Sequence, residues 1–310
     1  MARFKDDSAP QADVLDRPIE PADGARHAGD PKDRAIGDIL AELRNLSAEQ
    51  VEQALRYQRE HGVRLGEATV ALGFASRDDV LYALAQQFHY PYAPEEKRKV
   101  SSELVMLHEP FSPRAEAFRA LRSQISMRVW AGGSERLALS VISPDPGDGK
   151  TYTAANLAVA MAQLGSGRTL LVDADMRGPR LHQVFGIGEP ASGLSSVLSG
   201  RSDSHVIQQV PSLPGLFLLP VGTTPPNPLE LVERSAFKML MLELTNKFDT
   251  VIVDTPAASH GADASAIAAR CGAALLVARR HVSRTASLQD LVGAFAGSGV
   301  KMAGAVINER

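Results

Sequence analysis

Cysteine is almost absent from this sequence of 310 residues, because Cys271 is its only one. A single cysteine cannot form an intrachain disulfide, which excludes a disulfide-stapled extracellular domain and fits a reducing compartment. Since Cys271 stands just before the apolar run at 273–277, we expect it to be a small buried residue rather than a nucleophile.

Long hydrophobic segments and a surplus of charge are missing as well. No apolar run is long enough to span a bilayer, and the N-terminus lacks the apolar core of a signal peptide. The formal net charge of −3 gives no general attraction to nucleic acid or to an anionic membrane. We therefore expect a cytoplasmic protein with no nucleic-acid ligand, associated with the inner membrane only peripherally, through a partner.

The stretch around which the chain is organised covers residues 137–156. It starts with an apolar run typical of a buried strand, continues through a Gly/Pro-rich loop and ends in a helical pattern. The loop closes with Gly149, Lys150 and Thr151, which is the ending of a P-loop. The usual first glycine of such a loop is replaced by Pro144, so this stretch alone also allows a simple turn between strand and helix.

The chemistry of this loop suits a nucleotide with Mg²⁺. Gly147 and Gly149 let backbone N–H groups turn towards a polyphosphate, and the following helix adds the positive end of its dipole. Lys150 can reach the β- and γ-phosphates, and the hydroxyl of Thr151 suits the metal. The predicted nucleotide contacts of the loop are Asp145, Pro146, Gly147, Asp148, Gly149, Lys150, Thr151 and Tyr152.

Beyond the loop, short apolar runs alternate with helical patterns, which predicts a doubly wound α/β fold with a mainly parallel sheet. Strands are predicted at 169–173, 215–220, 250–254, 273–277 and 302–308. Helices are predicted near 194–199, 229–246, 263–270 and 284–296. In such a fold the ligand lies at the carboxyl ends of the strands.

Two of these predicted strands end in aspartate. Asp173 ends one, followed closely by Asp175, and Asp254 ends another. A carboxylate at a sheet edge is unfavourable unless a cation or a hydrogen-bond donor compensates it, and Mg²⁺ on a nucleotide would do so. We expect Asp254 to hold Mg²⁺ through water, and Asp173 to contact the metal or polarise the nucleophile. Each aspartate alone could equally be a turn or helix-cap residue.

The sequence predicts a disordered leader at 1–35 and a small all-α domain at 36–92. A linker at 93–112 and a P-loop domain at 113–310 are predicted to follow. The all-α part contains a repeat with an offset of 29 residues. Each copy is predicted to be a short helix, a turn and a second helix, with Ser47 or Ser76 at the N-cap of the second helix.

Several motifs resemble the bacterial tyrosine kinases (BY-kinases) of capsule and exopolysaccharide synthesis. The second Walker motif, the Walker B motif and the Asn-Pro-x-Glu-Leu segment of that family are matched at 170–182, 251–256 and 220–232. A helix predicted at 114–130 carries Glu116, Arg119 and Arg122 on one surface, which is similar to the helix with which these kinases form a ring. A salt-bridged solvent face is the alternative for this helix.

The resemblance implies a P-loop NTPase fold of the SIMIBI class, like that of ParA and MinD, and ATP-dependent tyrosine autophosphorylation that regulates exopolysaccharide chain length. Lys150 would neutralise charge on the phosphates, Asp173 and Asp175 would orient or deprotonate the attacking phenol, and Asn308 would recognise adenine. The resemblance also implies a homo-oligomeric ring and, as partner, a membrane-anchored polysaccharide co-polymerase. With its helical N-terminal part, the chain is similar to the EpsG type of chain-length-determinant kinases.

The sequence agrees with the kinases at Asp145 and departs from them in its tyrosines, and this departure leaves the phosphate acceptor and the activity open. Asp145 stands where partition and septum-placement ATPases carry a signature lysine, which favours the kinases. No tyrosine follows Tyr152, although BY-kinases usually carry a C-terminal tyrosine cluster. The chain would then phosphorylate Tyr90, Tyr92 or a partner. Alternatively it would be a ParA/MinD-like ATPase switch, or an ATP-binding assembly factor without kinase activity.

The all-α part resembles the N-terminal domain of type II secretion ATPases, some of which bind cyclic di-GMP through paired Arg-Leu-Gly motifs. The second repeat reads Arg64-Leu65-Gly66, whereas the first has Arg34 one residue out of register. Cyclic di-GMP is therefore a candidate ligand, and a docking or spacer module without a ligand is the favoured alternative.

Overall fold

The computed structural model describes residues 35–87, 100–131, 136–165, 167–201, 206–211 and 213–309. Most of the predicted leader, the charged part of the predicted linker, Arg34, Tyr90 and Tyr92 lie outside the described residues. The described part comprises a helical segment and an α/β domain.

The helical segment contains two pairs of helices, α1 (Ile36–Arg44), α2 (Ala48–His61), α3 (Leu65–Ala71) and α4 (Arg77–Gln87). The hydroxyl of Ser47 accepts the N–H of Gln50 at 3.2 Å, and the hydroxyl of Ser76 accepts the N–H of Asp79 at 3.1 Å. These bonds satisfy N–H groups that the first turn of a helix leaves without a partner. The predicted pairs of helices and both predicted caps are therefore confirmed.

Close contacts join the helices of this segment. Helix α1 packs against α4, with Leu40 and Ala83 buried in their shared core. A Cβ on Gly66 would lie 2.5 Å from Val80, so the glycine of the Arg-Leu-Gly sequence is required by packing. Nε of Arg44 donates to Oδ2 of Asp79 at 2.7 Å, which ties the end of α1 to the first turn of α4.

The α/β domain begins with two helices, α5 (Val105–His108) and α6 (Pro113–Ile125). Ser112 caps α6 through its hydroxyl. The helix predicted at 114–130 is α-helical only to Ile125, because the last turn, Ser126–Trp130, is a π-helix. The indole N–H of Trp130 donates to the carbonyl of Leu137 at 3.0 Å, which fixes this end of the helix against the start of the sheet.

A seven-stranded sheet forms the centre of the domain. Its strands are β1 (Ala138–Ile142), β2 (Thr169–Asp173), β3 (Gln208–Gln209), β4 (Leu216–Leu219), β5 (Thr250–Asp254), β6 (Gly272–Arg279) and β7 (Lys301–Asn308). Their order is β3-β4-β2-β5-β1-β6-β7, and every pairing is parallel except that of β3 with β4. The predicted mainly parallel sheet is confirmed, and the antiparallel edge strand β3 is an addition.

Helices cover both faces of the sheet, as the doubly wound prediction requires. They are α7 (Lys150–Ala162), α8 (Leu181–Val184), α9 (Leu194–Leu198), α10 (Pro228–Glu233), α11 (Ser235–Lys247), α12 (Asp263–Cys271) and α13 (Thr285–Gly293). The helical stretch predicted near 229–246 is confirmed, but it consists of two helices, because the extended backbone of Arg234 (φ −61°, ψ 150°) separates α10 from α11.

The central strands are apolar because both of their faces are covered. All five residues of β1 and of β2 are buried, and α7 packs on one face with Leu157 fully inaccessible. Cys271 is also buried, as predicted, and burial raises the pKa of its thiol. Among the described residues, no helix combines the length and the apolarity needed to cross a bilayer.

The register of the sheet decides which side chains meet at its carboxyl edge. Asp173 at the end of β2 is paired with Asp254 at the end of β5. On the other side of β1, Arg279 at the end of β6 is paired with Asn308 at the end of β7. Residues far apart in sequence therefore converge beside the loop that follows β1.

Candidate functional site

A cleft of about 470 Å³ opens at the carboxyl edge of the sheet. Its walls are the loop before α7, the loop after β2, the loop after β5 and the ends of β6 and β7. The predicted site residues that line it are Pro146, Gly147, Gly149, Lys150, Thr151, Tyr152, Asp175 and Asn308. A larger apolar groove of about 590 Å³, between α6 and the end of β7, adjoins it and shares Tyr152 and Asn308.

The loop between β1 and α7 has the backbone that its two glycines were predicted to allow. Gly147 (φ +82°) and Gly149 (φ +101°) adopt positive φ values that other residues rarely take. A side chain at Gly149 would also require Asn308 to move, since a Cβ there would lie 2.1 Å from Nδ2 of Asn308. Asn308, predicted to recognise adenine, thus lies against the loop itself, and its Nδ2 donates to the carbonyl of Asp148 at 3.0 Å.

Lys150 points back across this loop. Its Nζ donates to the hydroxyl of Ser143 at 3.0 Å and to the carbonyl of Asp145 at 3.5 Å. Burial lowers the pKa of Lys150 below its usual value, even though several carboxylates surround it. Ser143 is a site residue that the sequence analysis missed, because a serine at the end of a strand has no distinctive pattern.

Asp148, predicted to contact nucleotide, has its carboxylate inside the loop rather than on the cleft wall. Oδ2 accepts the N–H of Asp145 at 3.0 Å, and Oδ1 accepts the hydroxyl of Ser283 at 2.7 Å. The residue is only 1% exposed. The side chain therefore holds the two ends of the loop together and joins the loop to the segment after β6.

Asp254 lies beside the first residues of α7. The hydroxyl of Thr151 donates to its Oδ2 at 2.6 Å, which brings together two of the three predicted metal ligands. The other oxygen, Oδ1, is buried and has no hydrogen-bond partner in the part of the chain that the structure describes. Burial raises the pKa of Asp254 to about 7, although the bond from Thr151 and the charge of Lys150 act in the opposite direction.

This orphaned oxygen fits a hydrated metal ion. A buried carboxylate oxygen without a donor is costly, and a metal-bound water would supply the missing donor. Among the described residues, no cluster of three or more His, Cys, Asp or Glu side chains is arranged to hold a metal. That is the usual situation for Mg²⁺, which binds to one or two protein groups and to substrate phosphates.

Asp173, the third predicted metal ligand, is fully buried behind the cleft wall. Its two oxygens accept the N–H groups of Asp175 at 3.2 Å and of Leu181 at 3.1 Å. Burial raises the pKa of Asp173 well above its usual range, and the negative charge of Asp254 raises it further. In this arrangement Asp173 holds the loop that follows β2.

Asp175 is the carboxylate of that loop that faces the cleft. Its Oδ1 accepts the N–H groups of Arg177 at 3.1 Å and of Gly178 at 3.0 Å. Its Oδ2 accepts no hydrogen bond from the described residues. The loop thus presents one open carboxylate oxygen opposite Lys150.

Two ion pairs that the sequence did not predict support the loop after β2. Nη2 of Arg177 binds Oδ2 of Asp263 at 2.9 Å, and that carboxylate is almost completely buried at the start of α12. Nη2 of Arg180 binds Oε2 of Glu103 at 2.9 Å in a more exposed pair. Both pairs join residues 77 to 86 positions apart, for which sequence spacing gives no signal.

The predicted interface residues of α6 make contacts within the chain. Nη1 of Arg119 binds Oε2 of Glu116 at 2.9 Å, and its Nη2 donates to the carbonyl of Pro110. Nη1 of Arg122 donates to the carbonyl of Ala160 at 2.9 Å. Glu116 remains largely exposed, so this surface is available to a neighbour although both arginines are already engaged.

Comparison with known proteins gives a consistent family. The model of the CobQ/CobB/MinD/ParA nucleotide binding domain matches residues 139–309. The putative tyrosine-protein kinase EpsB of Ralstonia solanacearum is 34% identical over 211 residues, which make up 68% of this chain and 28% of EpsB. The putative tyrosine-protein kinase CapB of Staphylococcus aureus is 32% identical over 213 residues, or 69% of this chain and 92% of CapB.

A solved structure agrees with these sequence matches. The kinase domain of the Escherichia coli tyrosine kinase ETK is 30% identical, with a TM-score of 0.61 over 66% of this chain and 79% of that domain. The chain spans only 26% to 35% of the length of the first five curated relatives that it matches. The matched residues 139–309 run from β1 to β7 and so include the whole carboxyl edge of the sheet.

Proposed function

Because the chain belongs to the bacterial tyrosine-protein kinases with a CobQ/CobB/MinD/ParA nucleotide binding domain, we propose that it is an ATP-dependent protein tyrosine kinase. The observation that carries this proposal is the junction of Thr151 and Asp254. Their contact of 2.6 Å leaves Oδ1 of Asp254 buried and without a donor, next to a cleft that Lys150 and Asp175 also line.

We propose that ATP binds in this cleft with its phosphates along the loop at 145–151. The N–H groups of the loop and the first turn of α7 would face the phosphates, and Lys150 would exchange its present partners, Ser143 and Asp145, for phosphate oxygens. Asn308 and Tyr152, at the border of the adjoining groove, would contact the base.

Thr151 and Asp254 would hold Mg²⁺, which supplies neutralisation of charge on the transferred phosphate. Asp254 would bind it through water, consistent with its unpartnered Oδ1. Asp173 was predicted as a further ligand. Because its two oxygens accept backbone N–H groups, we propose that it acts by fixing the loop that carries Asp175.

We propose that Asp175 binds the hydroxyl group of the acceptor tyrosine. Its Oδ2 is open to the cleft, so it can accept the hydrogen bond of a phenol and take up its proton as the oxygen attacks the γ-phosphate. Of the described tyrosines, Tyr57 and Tyr82 lie in the helical segment, and Tyr152 packs edge-on against Phe118 beside the cleft. We therefore propose a tyrosine outside the described residues, such as Tyr90 or Tyr92, or a partner protein as the acceptor.

The family also guides the proposal for the cellular role. We propose that the kinase regulates the chain length and export of an exopolysaccharide together with a membrane-anchored co-polymerase, from the cytoplasmic side of the membrane. The α6 surface with Glu116, Arg119 and Arg122 is proposed to contact a neighbouring subunit of a ring. The helical segment is proposed to be a docking or spacer module, with cyclic di-GMP as an alternative ligand.

Phosphotyrosine formation tests the kinase activity directly. The purified chain is incubated with Mg²⁺·ATP, with and without the cytoplasmic tail of the co-polymerase, and phosphotyrosine is detected with an antibody. We expect a signal that Lys150→Met abolishes and that Asp175→Asn strongly reduces while ATP still binds. ATP hydrolysis without any phosphotyrosine would refute the kinase proposal and indicate an ATPase switch.

A further inference from the structure

We propose that Arg279 binds the phosphates of the nucleotide, and that Ser283, bonded to Asp148 of the loop before α7, positions it. Arg279 is the last residue of β6. In the structure it lines the cleft, with Nη1 3.9 Å from the position that a Cβ on Gly147 would occupy. The inference rests on the proposed nucleotide binding and assigns a further residue to that site.

The charges of the cleft are unbalanced without such a residue. Four carboxylates interact with the charge of Lys150, those of Asp254, Asp175, Asp148 and Asp145. A polyphosphate brings several more negative charges to the same place. Lys150, the dipole of α7 and the Mg²⁺ that would accompany the nucleotide oppose this excess, and a second protein cation at the cleft would strengthen binding further.

Three arginines line the cleft, and two of them are already neutralised. Arg177 is paired with Asp263, and Arg180 is paired with Glu103. The guanidinium of Arg279 has no ion-pair partner among the described residues. Since an arginine presents a planar fork of donors that matches phosphate oxygens, Arg279 is the one available for this contact.

A chain of hydrogen bonds holds Arg279 to the loop before α7. The N–H of Arg279 donates to the hydroxyl of Ser283 at 2.7 Å. That hydroxyl donates in turn to Oδ1 of Asp148 at 2.7 Å, and Oδ2 of Asp148 accepts the N–H of Asp145 at 3.0 Å. The phosphate-binding loop is therefore joined to the backbone of Arg279 through one serine.

The turn after β6 has a conformation that needs this support. His281 has a φ of +61°, a left-handed backbone that is unfavourable for a residue with a side chain. The N–H groups of Val282 and Ser283 both donate to the carbonyl of Arg279, at 3.2 and 3.0 Å. The turn is thus folded tightly around Arg279, and Ser283 bonds it to Asp148.

Calorimetric titration of the full chain with Mg²⁺·ATP tests the role of Arg279. We expect Arg279→Gln to raise Kd about tenfold, and Arg279→Lys to recover part of the affinity because it keeps the charge but not the fork. The matched control is Arg280→Gln. Arg280 is the adjacent arginine, lies outside the cleft lining and is paired with Glu309, so its loss should leave Kd within about twofold of the parent value.

The outcomes separate the inference from the function on which it rests. If the parent chain binds no Mg²⁺·ATP, the proposed function fails. If the parent chain binds but Arg279→Gln and Arg280→Gln have the same Kd, the proposed function stands and the role of Arg279 is refuted. Thermal unfolding without nucleotide shows whether each variant is folded.

A second pair of titrations tests the positioning role of Ser283. We expect Ser283→Ala to weaken Mg²⁺·ATP binding several-fold and Ser283→Thr, which keeps the hydroxyl, to bind like the parent. In the Arg279→Gln background, Ser283→Ala should add less than about twofold, because the arginine through which it acts is gone. An equal loss in both backgrounds would show that Ser283 acts on the phosphate loop alone and would overturn its assignment to Arg279.

Discussion

Replacing Asp254 with asparagine should stabilise the nucleotide-free protein at neutral pH while removing Mg²⁺·ATP binding. Asp254 is 1% exposed and is paired in register with a second buried carboxylate, Asp173. Its Oδ1 has no hydrogen-bond partner among the described residues, and burial raises its pKa to about 7. Asparagine is neutral, has almost the same shape and keeps an oxygen that can accept the hydroxyl of Thr151.

The sign and size of the effect follow from the pKa of Asp254. The folded chain holds the proton more tightly than the unfolded chain, whose value is 3.8. The stability due to this group is therefore fully present below pH 3.8 and is lost as the pH rises towards about 7. The difference between the two pKa values corresponds to at most about 4 kcal/mol, a cost that Asp254→Asn avoids.

Urea unfolding of the two proteins without nucleotide, in a chelator and at several pH values from 4 to 8, measures this difference. We expect nearly equal stabilities at the acidic end and a gap in favour of Asp254→Asn that widens to a few kcal/mol by pH 8. Asp290→Asn, at an exposed carboxylate of α13, controls for the loss of one negative charge. Parallel pH profiles for the parent chain and Asp254→Asn would refute the reasoning.

Three further predictions concern single contacts. Arg177→Ala leaves the buried carboxylate of Asp263 without its cation and should lower the free energy of unfolding by about 1–3 kcal/mol. Arg180→Ala removes a more exposed ion pair and should lower it by less than about 1 kcal/mol. Urea unfolding measures both. Gly149→Ala should cost at least about 1 kcal/mol, because φ is +101° and the Cβ would clash, and calorimetry should show weaker Mg²⁺·ATP binding. Burial raises the pKa of Asp79, but hydrogen bonds that include one from Arg44 lower it below 3.8 overall. The bond from Arg44 therefore stabilises α4 only where Asp79 is ionised. Arg44→Ala should speed hydrogen exchange in α4 at neutral pH and make little difference well below pH 3.8.

The buried strands of the sheet were predictable because their residues are mainly apolar. A parallel strand covered on both faces needs a nearly continuous apolar run, which β2 and β5 have and which only the buried Ser140 interrupts in β1. Strand β3 was missed because it consists of Gln208 and Gln209, which pair at the edge of the sheet and bury little. The break at Arg234 was missed because arginine is a good helix former, so its extended backbone has no signal in the sequence.

The site residues that belong to local sequence motifs were predictable. Lys150, Thr151 and Asp254 could be placed at one edge of the sheet, because a strand–loop–helix pattern and a strand end determine where such residues lie. The contacts of Asp148 with Ser283, and of Arg177 with Asp263, join residues 135 and 86 positions apart. A single sequence contains no periodicity that would pair them, so they follow only from the folded chain.

The buried ionisable groups of the cleft give a physical reason to place the nucleotide there. Asp173 and Asp254 are buried beside each other with raised pKa values, and Lys150 is buried with a lowered one, so burial disfavours the charged form of each of these groups. Such an arrangement costs stability when the cleft is empty and fits a site whose charges are completed by a bound cation and a polyphosphate. Arg279 fits the same pattern, since it is a cation at the cleft with no carboxylate partner among the described residues. The imbalance is therefore the physical reason to place the phosphates of the nucleotide in this cleft rather than in the larger apolar groove.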